Sequence, residues 1–170
     1  QNNTIMIDTE GSRVGVINGL SVLSMGEYSF GRPSRITVTT SMGNRGLVNI
    51  EREVKMSGPI HNKSVLILQG YLTEHFAQEY SLSINAYICF EQNYGGIEGD
   101  SATLAELCAL LSSLSNVPIK QNIAVTGSLN QKGDIQVVGG ITEKIEGFYN
   151  VCKKRGLDNK TYGVILPKDN

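Results

Sequence analysis

A chain of 170 residues has the length of one domain and is long enough to bury a sizeable core. Its net charge is -1 and its pI is about 6.2, so it lacks the basic balance that nucleic-acid binding favours. Hydrophobic residues make up 40% of the chain without a long apolar run, so the sequence is typical of neither disordered nor membrane-spanning proteins. No signal-peptide pattern opens the chain, and we expect a cytoplasmic protein.

The first part of the chain is rich in strand patterns. Val, Ile and Thr run or alternate over residues 14–23 and 35–40, which predicts two strands. Gly26, Gly31 and Pro33 predict a turn-rich connection between these strands.

A shorter strand and a helix are predicted next. Residues 46–50 have the pattern of a short strand, and an apolar run from residue 64 or 65 passes into helical periodicity up to about residue 80. Residues 82–90 then alternate as a strand whose apolar side chains share one face.

Helices and strands intermix in the second half. Apolar residues cover most of the circumference of a helix over 101–114, which should therefore be largely buried. Residues 123–129 and 134–138 flank Asn-Gln-Lys-Gly, which predicts a hairpin. A helix over 141–155 and a strand over 163–166 follow. This irregular order predicts an α+β fold, with a mixed sheet and helices packed against it.

Lys144 stands out because it faces an apolar stripe. The stripe of the helix predicted over 141–155 consists of residues at helical spacing: Ile141, Ile145, Phe148, Tyr149 and Cys152. Lys144 points into it, and we expect Gly147 to leave open space beside the lysine. Burial disfavours the charged amine and lowers its pKa, which makes Lys144 a candidate general base. The alternative is a lysine at the edge of the stripe whose ammonium reaches water.

Ser101 lies between a glycine-rich loop, residues 94–100, and the start of the buried helix. Free N–H groups and the positive end of a helix can stabilise an oxyanion there, and the glycines allow a substrate backbone to approach. A serine and a lysine brought together can hydrolyse amides, with the amine as base. The alternative is that Asp100 or Ser101 simply caps the helix.

The cysteines and histidines favour no other chemistry. Cys89, Cys108 and Cys152 are odd in number and widely spaced, which predicts neither a disulfide framework nor a zinc site. His61, in a predicted loop, and His75, in a predicted helix, match no metal motif. Either histidine could meet Ser101 in space, so a histidine base stays open as an alternative.

Several motifs in one order carry a family resemblance. They are Gly-Asp-Ser-Ala at 99–102, Val-Thr-Gly-Ser-Leu at 125–129 and Val-Val-Gly-Gly-Ile-Thr-Glu-Lys-Ile at 137–145. Together they resemble the proteolytic domain of the Lon proteases. Residues 16–22 and 165–170 are similar to that family as well, so the resemblance spans nearly the whole chain.

The resemblance implies roles for individual residues. Ser101 matches the family's nucleophile and Lys144 its general base, while Thr126 matches a threonine that orients the lysine by a hydrogen bond. The backbone around Gly99, Asp100 and Ser101 would contribute the oxyanion site.

The residues before the nucleophile resemble one branch of the family. Glu98 and Asp100 agree with the Glu-Gly-Asp-Ser form of the B-type members. In those relatives the acidic pair can pull the loop into an inactive arrangement, in which Asp100 competes for Lys144. The family fold is similar to the second domain of ribosomal protein S5, and the family assembles as hexameric rings around a degradation chamber.

We therefore expect a serine endopeptidase that hydrolyses unfolded or misfolded polypeptides as part of a homo-hexameric ring. The chain starts with Gln1 and ends just after a strand, so we expect residues 1–170 to be one proteolytic domain of a longer protein. Family members carry an ATPase domain ahead of this one, yet the chain has no Gly-x4-Gly-Lys-Ser/Thr phosphate loop. ATP and Mg²⁺ would serve such an N-terminal module, and we expect no cofactor, metal or nucleotide to act in this domain.

Two other functions compete with this one. A non-catalytic Lon-like binding or assembly module would keep Ser101 as a helix cap and Lys144 as a partner for Asp100. Nucleic-acid binding through the S5-like fold is disfavoured by the slightly acidic balance of the chain.

Overall fold

A computed structural model describes residues 5–170, and a mixed sheet is its centre. The strands are β1 (Ser12–Arg13), β2 (Val16–Met25), β3 (Tyr28–Met42), β4 (Gly46–Asn49), β5 (Ile84–Phe90), β6 (Ile119–Lys120), β7 (Ile123–Val125), β8 (Ser128–Leu129), β9 (Ile135–Gln136) and β10 (Gly163–Ile165). Six of them form one sheet in the order β10–β7–β2–β3–β5–β4. Within it, β3 is antiparallel to β2 and β5, and the other pairs are parallel. The predicted α+β fold with a mixed sheet is confirmed.

Helices cover both faces of this sheet. They are α1 (Ile50–Glu53), α2 (Pro59–Phe76), α3 (Thr103–Ser115) and α4 (Ile141–Lys154). The buried apolar residues of α2 and α3 pack with one set of sheet residues, which includes Ile17 and Ile36. The buried residues of α4, Phe148 and Cys152, pack with a second set that includes Leu20. Since successive side chains of a strand point to opposite faces, α4 lies across the sheet from α2 and α3.

The hairpin of β2 and β3 is longer than the sequence predicts. Its register runs without a break from Val16 opposite Thr37 to Met25 opposite Tyr28. The predicted turn-rich connection over Gly26, Gly31 and Pro33 is therefore wrong beyond residue 27. Pro33 is tolerated in β3 because β5 pairs only with residues 36–42, so the missing N–H of the proline costs no bond on that side.

The start of α2 is a second difference. The sequence predicts a loop at His61, but the helix begins at Pro59 and His61 is buried. Proline fits the first turn of a helix, where N–H groups have no partner within the helix. The N–H groups of Ile60 and His61 donate instead to Glu98 Oε1, at 3.0 and 3.1 Å. A partner nearly 40 residues away leaves no local sequence pattern, which is why the prediction failed.

Strand β7 covers only part of the neighbouring edge of β2. Strand β7 pairs with β2 only at Asn18 and Gly19, whereas β2 continues to Met25. The predicted strand over 123–129 stops at Val125: Thr126 N–H still donates to Ile165 O of β10, but Gly127 N–H donates to Ser101 O, outside the sheet. Strands β8 and β9 then form the predicted hairpin. Beyond Gly19, the edge of β2 on the β7 side is unpaired within the described part of the chain.

Candidate active site

Ser101 lies in the turn that leads into α3. The helix itself begins at Thr103, two residues later than the pattern predicts, with Ala102 as its cap residue. Thr103 donates to Asp100 O from its N–H at 3.2 Å and from its hydroxyl at 2.6 Å, which fixes the turn. No side chain caps the helix, so the alternative in which Asp100 or Ser101 is retained as a cap is not supported.

The backbone around Ser101 presents unpaired donors. Among residues 5–170, the N–H groups of Asp100, Ser101 and Ala102 donate to no acceptor. Gly99 differs, because its N–H donates to Glu98 Oε1 at 2.7 Å. Its φ of 90° is a conformation that glycine adopts at little cost. Of the backbone predicted to form an oxyanion site, positions 100 and 101 have free donors and position 99 does not.

The carbonyl of Ser101 is held from the opposite side by the segment that follows β7. Gly127 N–H donates to Ser101 O at 2.9 Å, and Thr126 Oγ1 donates to the same oxygen at 3.2 Å. Leu104 N–H in turn donates to Gly127 O at 3.1 Å. Thr126 is fully buried, and its hydroxyl contacts the nucleophile segment rather than the amine of Lys144.

Lys144 is buried in α4, with only 2% of its surface exposed. A lysine whose ammonium reaches water would be far more exposed, so that alternative is wrong. Burial is the main influence on its pKa and lowers it from the usual value of 10.5, while the negative charge of Asp100 acts in the opposite direction. Within residues 5–170, the amine makes no ion pair with Asp100 and no hydrogen bond with Ser101.

Gly147 leaves no open space beside Lys144, contrary to the expectation from sequence. A Cβ at Gly147 would overlap the backbone of Gly31 in β3, and a Cβ at Gly31 would overlap Glu143 and Lys144 in α4. The two glycines allow backbone-to-backbone contact of helix and strand. This contact fixes the position of the Lys144 backbone relative to strand β3.

The two acidic residues before Ser101 have separate partners. Asp100 Oδ2 accepts a hydrogen bond from Ser128 Oγ at 3.0 Å. Glu98 binds the start of α2, and hydrogen bonds from Gly99, then His61 and Ile60, outweigh burial and hold its pKa below the usual value. The acidic pair therefore fixes the loop to two neighbouring elements.

A cleft opens beside the nucleophile. It has a volume of about 30 Å³, and its walls include Ser101, Gly99, Ser21 and Ser34. A larger cleft of about 230 Å³ shares Ser21 and Ser34 with it and continues past β3.

Sequence reasoning missed a buried pair behind this site. His61 Nε2 lies 2.7 Å from Glu106 Oε1, and the two side chains are 1% and 0% exposed. Glu106 lies on a helix predicted to be largely buried, so a carboxylate there indicates a buried partner. His75, by contrast, is on the exposed end of α2 and bonds Tyr71 O. Neither histidine forms a hydrogen bond with Ser101 among the residues described.

Comparison with known proteins bears on this geometry. The family described as the Lon protease (S16) C-terminal proteolytic domain matches residues 6–170. The chain belongs to this family. It is 45% identical over 168 residues to a putative Lon protease homolog of Escherichia coli (strain K12), covering 98% of this chain and 28% of that protein. It is 35% identical over 166 residues to an archaeal Lon protease of Thermoplasma acidophilum, covering 95% and 24%.

This Lon-family domain thus spans about a quarter of the length of these relatives. None of the helices within residues 5–170 is long and apolar enough to cross a membrane. The same residues contain no group of three His, Cys, Asp or Glu side chains that could hold a metal ion. All three thiols are free.

Proposed function

We propose that this domain is a serine endopeptidase that uses Ser101 as nucleophile and Lys144 as general base. The observation that carries the proposal is a buried lysine with a lowered pKa within electrostatic reach of the turn at Asp100 and Ser101. A lysine can act as a base only when it is neutral, and burial favours the neutral form. Membership of the Lon proteolytic-domain family supports the same assignment.

The mechanism follows from these positions. Neutral Lys144 takes the proton of the Ser101 hydroxyl as the oxygen attacks the scissile carbonyl. The tetrahedral oxyanion accepts hydrogen bonds from free N–H groups at the start of α3, each worth about 3 kcal/mol when well placed. Lys144 then returns the proton to the leaving amine, and water hydrolyses the acyl-enzyme.

Two neighbouring residues support the dyad in this proposal. Thr126 holds the Ser101 carbonyl and so fixes the turn from which the nucleophile projects. Asp100 favours the charged form of Lys144, so its position regulates how basic the amine is. For attack, the Ser101 hydroxyl and the Lys144 amine must come into hydrogen-bond contact, so their side chains must move from the positions they occupy in this structure.

The substrate in this proposal is unfolded polypeptide in extended form. Residues 92–96, which precede the nucleophile, form no strand to which a substrate could pair. Among residues 5–170, β3 has no backbone partner before Arg35 on the side away from β2, where Arg35 O accepts the N–H of Glu91 at 2.8 Å, and the larger cleft runs along residues 32–35. An extended chain can add its backbone hydrogen bonds to such an edge.

The proposal also covers the oligomeric assembly and the remainder of the protein. We infer a homo-hexameric ring and an ATP- and Mg²⁺-dependent module elsewhere in the protein, because the relatives are named Lon proteases and are about four times longer. The proposed chemistry of this domain uses Ser101, Lys144 and backbone N–H groups, and the phosphate-loop motif is not found in its 170 residues. The cytoplasmic location stays a prediction.

Covalent labelling tests the dyad. A peptide boronate should bind the wild-type domain and fail to bind Ser101→Ala and Lys144→Met. Ser115→Ala, an exposed serine on α3, and Lys153→Met, an exposed lysine on α4, are matched controls that should bind normally. Circular dichroism confirms that each variant is folded.

A non-catalytic binding module remains the second candidate, because Ser101 and Lys144 are not hydrogen-bonded in this structure. Wild-type protein that binds the boronate no better than Ser101→Ala, at any pH up to about 9, would favour that module over the peptidase.

A further inference from the structure

The segment that carries Ser101 is held by one residue at both of its ends. Before Ser101, Glu98 Oε1 accepts the backbone N–H of His61 at 3.1 Å. After Ser101, Glu106 Oε1 lies 2.7 Å from His61 Nε2. Glu106 is in the first turn of α3, and its N–H donates to Ala102 O at 2.9 Å. His61 therefore contacts the chain on each side of the candidate nucleophile.

The neighbours of the other ring nitrogen fix the tautomer of His61. Nδ1 lies 3.3 Å from Asn49 Nδ2 and 2.7 Å from Ser57 Oγ. Asn49 Oδ1 accepts the N–H of Arg52, so the amide nitrogen faces the ring and donates. Nδ1 is consequently an acceptor, and the proton on Nε2 is donated to Glu106. The contact with Glu106 is a directed hydrogen bond.

Burying the polar side chains of His61 and Glu106 contributes unfavourably to the free energy of folding. His61 and Glu106 are 1% and 0% exposed, and Glu106 Oε2 has no partner among the described residues. Burying a carboxylate is unfavourable, and apolar residues of similar volume are often at least as stable. Unlike an apolar contact, a hydrogen bond has a preferred distance and angle. This bond therefore fixes the start of α3 relative to the start of α2.

We propose that His61 is a positioning residue for Ser101, whose ring acts through Glu106 while its backbone N–H binds Glu98. This inference rests on the proposed peptidase function. Held between two fixed points, the turn keeps the Ser101 hydroxyl aligned with the free N–H groups of the helix start and with Lys144. Displacing a reacting group by about 1 Å can cost about 100-fold in rate.

A double variant separates positioning from stability. In His61→Phe/Glu106→Leu an apolar pair replaces the hydrogen bond, so the domain should unfold at a temperature equal to or above that of wild type. We expect kcat for a fluorogenic peptide to fall about 10- to 100-fold, with KM changed less than about twofold. Glu106→Gln keeps an acceptor for Nε2–H and should retain most of kcat.

The matched control is Leu72→Ala. Leu72 is buried in the same helix as His61, toward the other end, and lines neither cleft. This variant should unfold at a lower temperature and keep the kcat of wild type. Unchanged kcat in the double variant, or an equal loss in Leu72→Ala, would overturn the positioning role.

Hydrogen exchange supplies a readout that needs no activity. The amide of Thr103, which donates to Asp100 O, should exchange faster in the double variant and not in Leu72→Ala, whereas the amide of Gly99 is an internal reference because phenylalanine at position 61 keeps the backbone N–H that binds Glu98. If wild-type protein cleaves no peptide, the proposed function fails while exchange still decides the positioning role. Equal exchange of the Thr103 amide in all three proteins would refute it.

Discussion

Lys144 is a residue on which two electrostatic effects oppose each other. Burial favours the neutral amine, and the charge of Asp100 favours the ammonium. Burial is the larger effect, so the pKa is lowered. The balance sets the pH at which the proposed base becomes available, and moving Asp100 would change it without touching the lysine.

The pH dependence of peptide cleavage should report this balance. Because the neutral amine is the active form, kcat/KM should rise with pH through an apparent pKa below 10.5. In Asp100→Asn the charge that favours the ammonium is gone, so the rising limb should move to lower pH. Asp134→Asn is the control and should leave the profile in place. A shift to higher pH in Asp100→Asn would contradict the assignment of Lys144.

The same lysine should limit stability. Its pKa is lower in the folded than in the unfolded chain, so folding disfavours the protonated form at neutral pH. Lys144→Met should abolish cleavage and raise the free energy of unfolding by about 0.5–2 kcal/mol. The gain should fade as pH rises toward 10.5, where the unfolded chain also loses the proton. Urea unfolding at pH 7 and pH 10 checks this; a destabilised variant at pH 7 would contradict it.

At the scale of elements, α4 is placed by contact with β3. Gly31 and Gly147 let the two backbones meet without intervening side chains. Protein interiors are close-packed, so an added methyl group here has no room and must separate helix from strand. The position of Lys144 thus depends on two residues that carry no side chain.

Two alanine substitutions in helices test this contact. Gly147→Ala should destabilise the domain by about 1–3 kcal/mol, because the methyl group meets backbone of β3. Gly70→Ala in α2 is the matched control: its methyl group meets the flexible end of Gln131, so the gain in helix propensity of about 0.5–1 kcal/mol should dominate. Thermal unfolding measures both, and a stabilised Gly147→Ala would show that α4 does not lie against β3 this closely.

At the scale of the whole molecule, Arg155 joins residues 5–9 to the end of α4. Its guanidinium donates to Ile5 O at 3.0 Å, Ile7 O at 2.7 Å and Thr9 Oγ1 at 3.1 Å. The arginine follows the last turn of α4, so the segment 5–9 and the helix that carries Lys144 are held together.

Removing this guanidinium should release the segment. Arg155→Met should lower the free energy of unfolding by about 1–2 kcal/mol, since hydrogen bonds from a charged donor are lost. Hydrogen exchange should rise over residues 5–9, and Lys154→Met, its exposed neighbour, should change neither quantity. Equal exchange in the two variants would show that the arginine does not hold the segment.

Local patterns explain what could be predicted from the sequence. The alternation over 82–90 gave a strand with Ala86, Ile88 and Phe90 buried, and the stripe over 141–155 gave α4 with Lys144 facing inward. Both depend on side chains close in sequence. The roles of Ser101, Lys144 and Thr126 stay predictions until labelling tests them.

What the sequence did not reveal depends on partners far along the chain. The start of α2 requires Glu98, the strand at Pro33 requires that β5 pair only from Ile36 onward, and the burial of His61 requires Glu106. The contact of Gly147 with Gly31 joins segments more than 100 residues apart. No periodicity in one segment reports such pairings.

The early end of β7 has a consequence for the timing of activity. Ser101 precedes α3 on one face of the sheet and Lys144 lies in α4 on the other, and among the described residues no strand pairs with the β7 side of β2 beyond Gly19. On the proposed mechanism, a newly made chain has no competent dyad until both layers have docked. On this mechanism the domain would cleave no polypeptide until its own folding is complete.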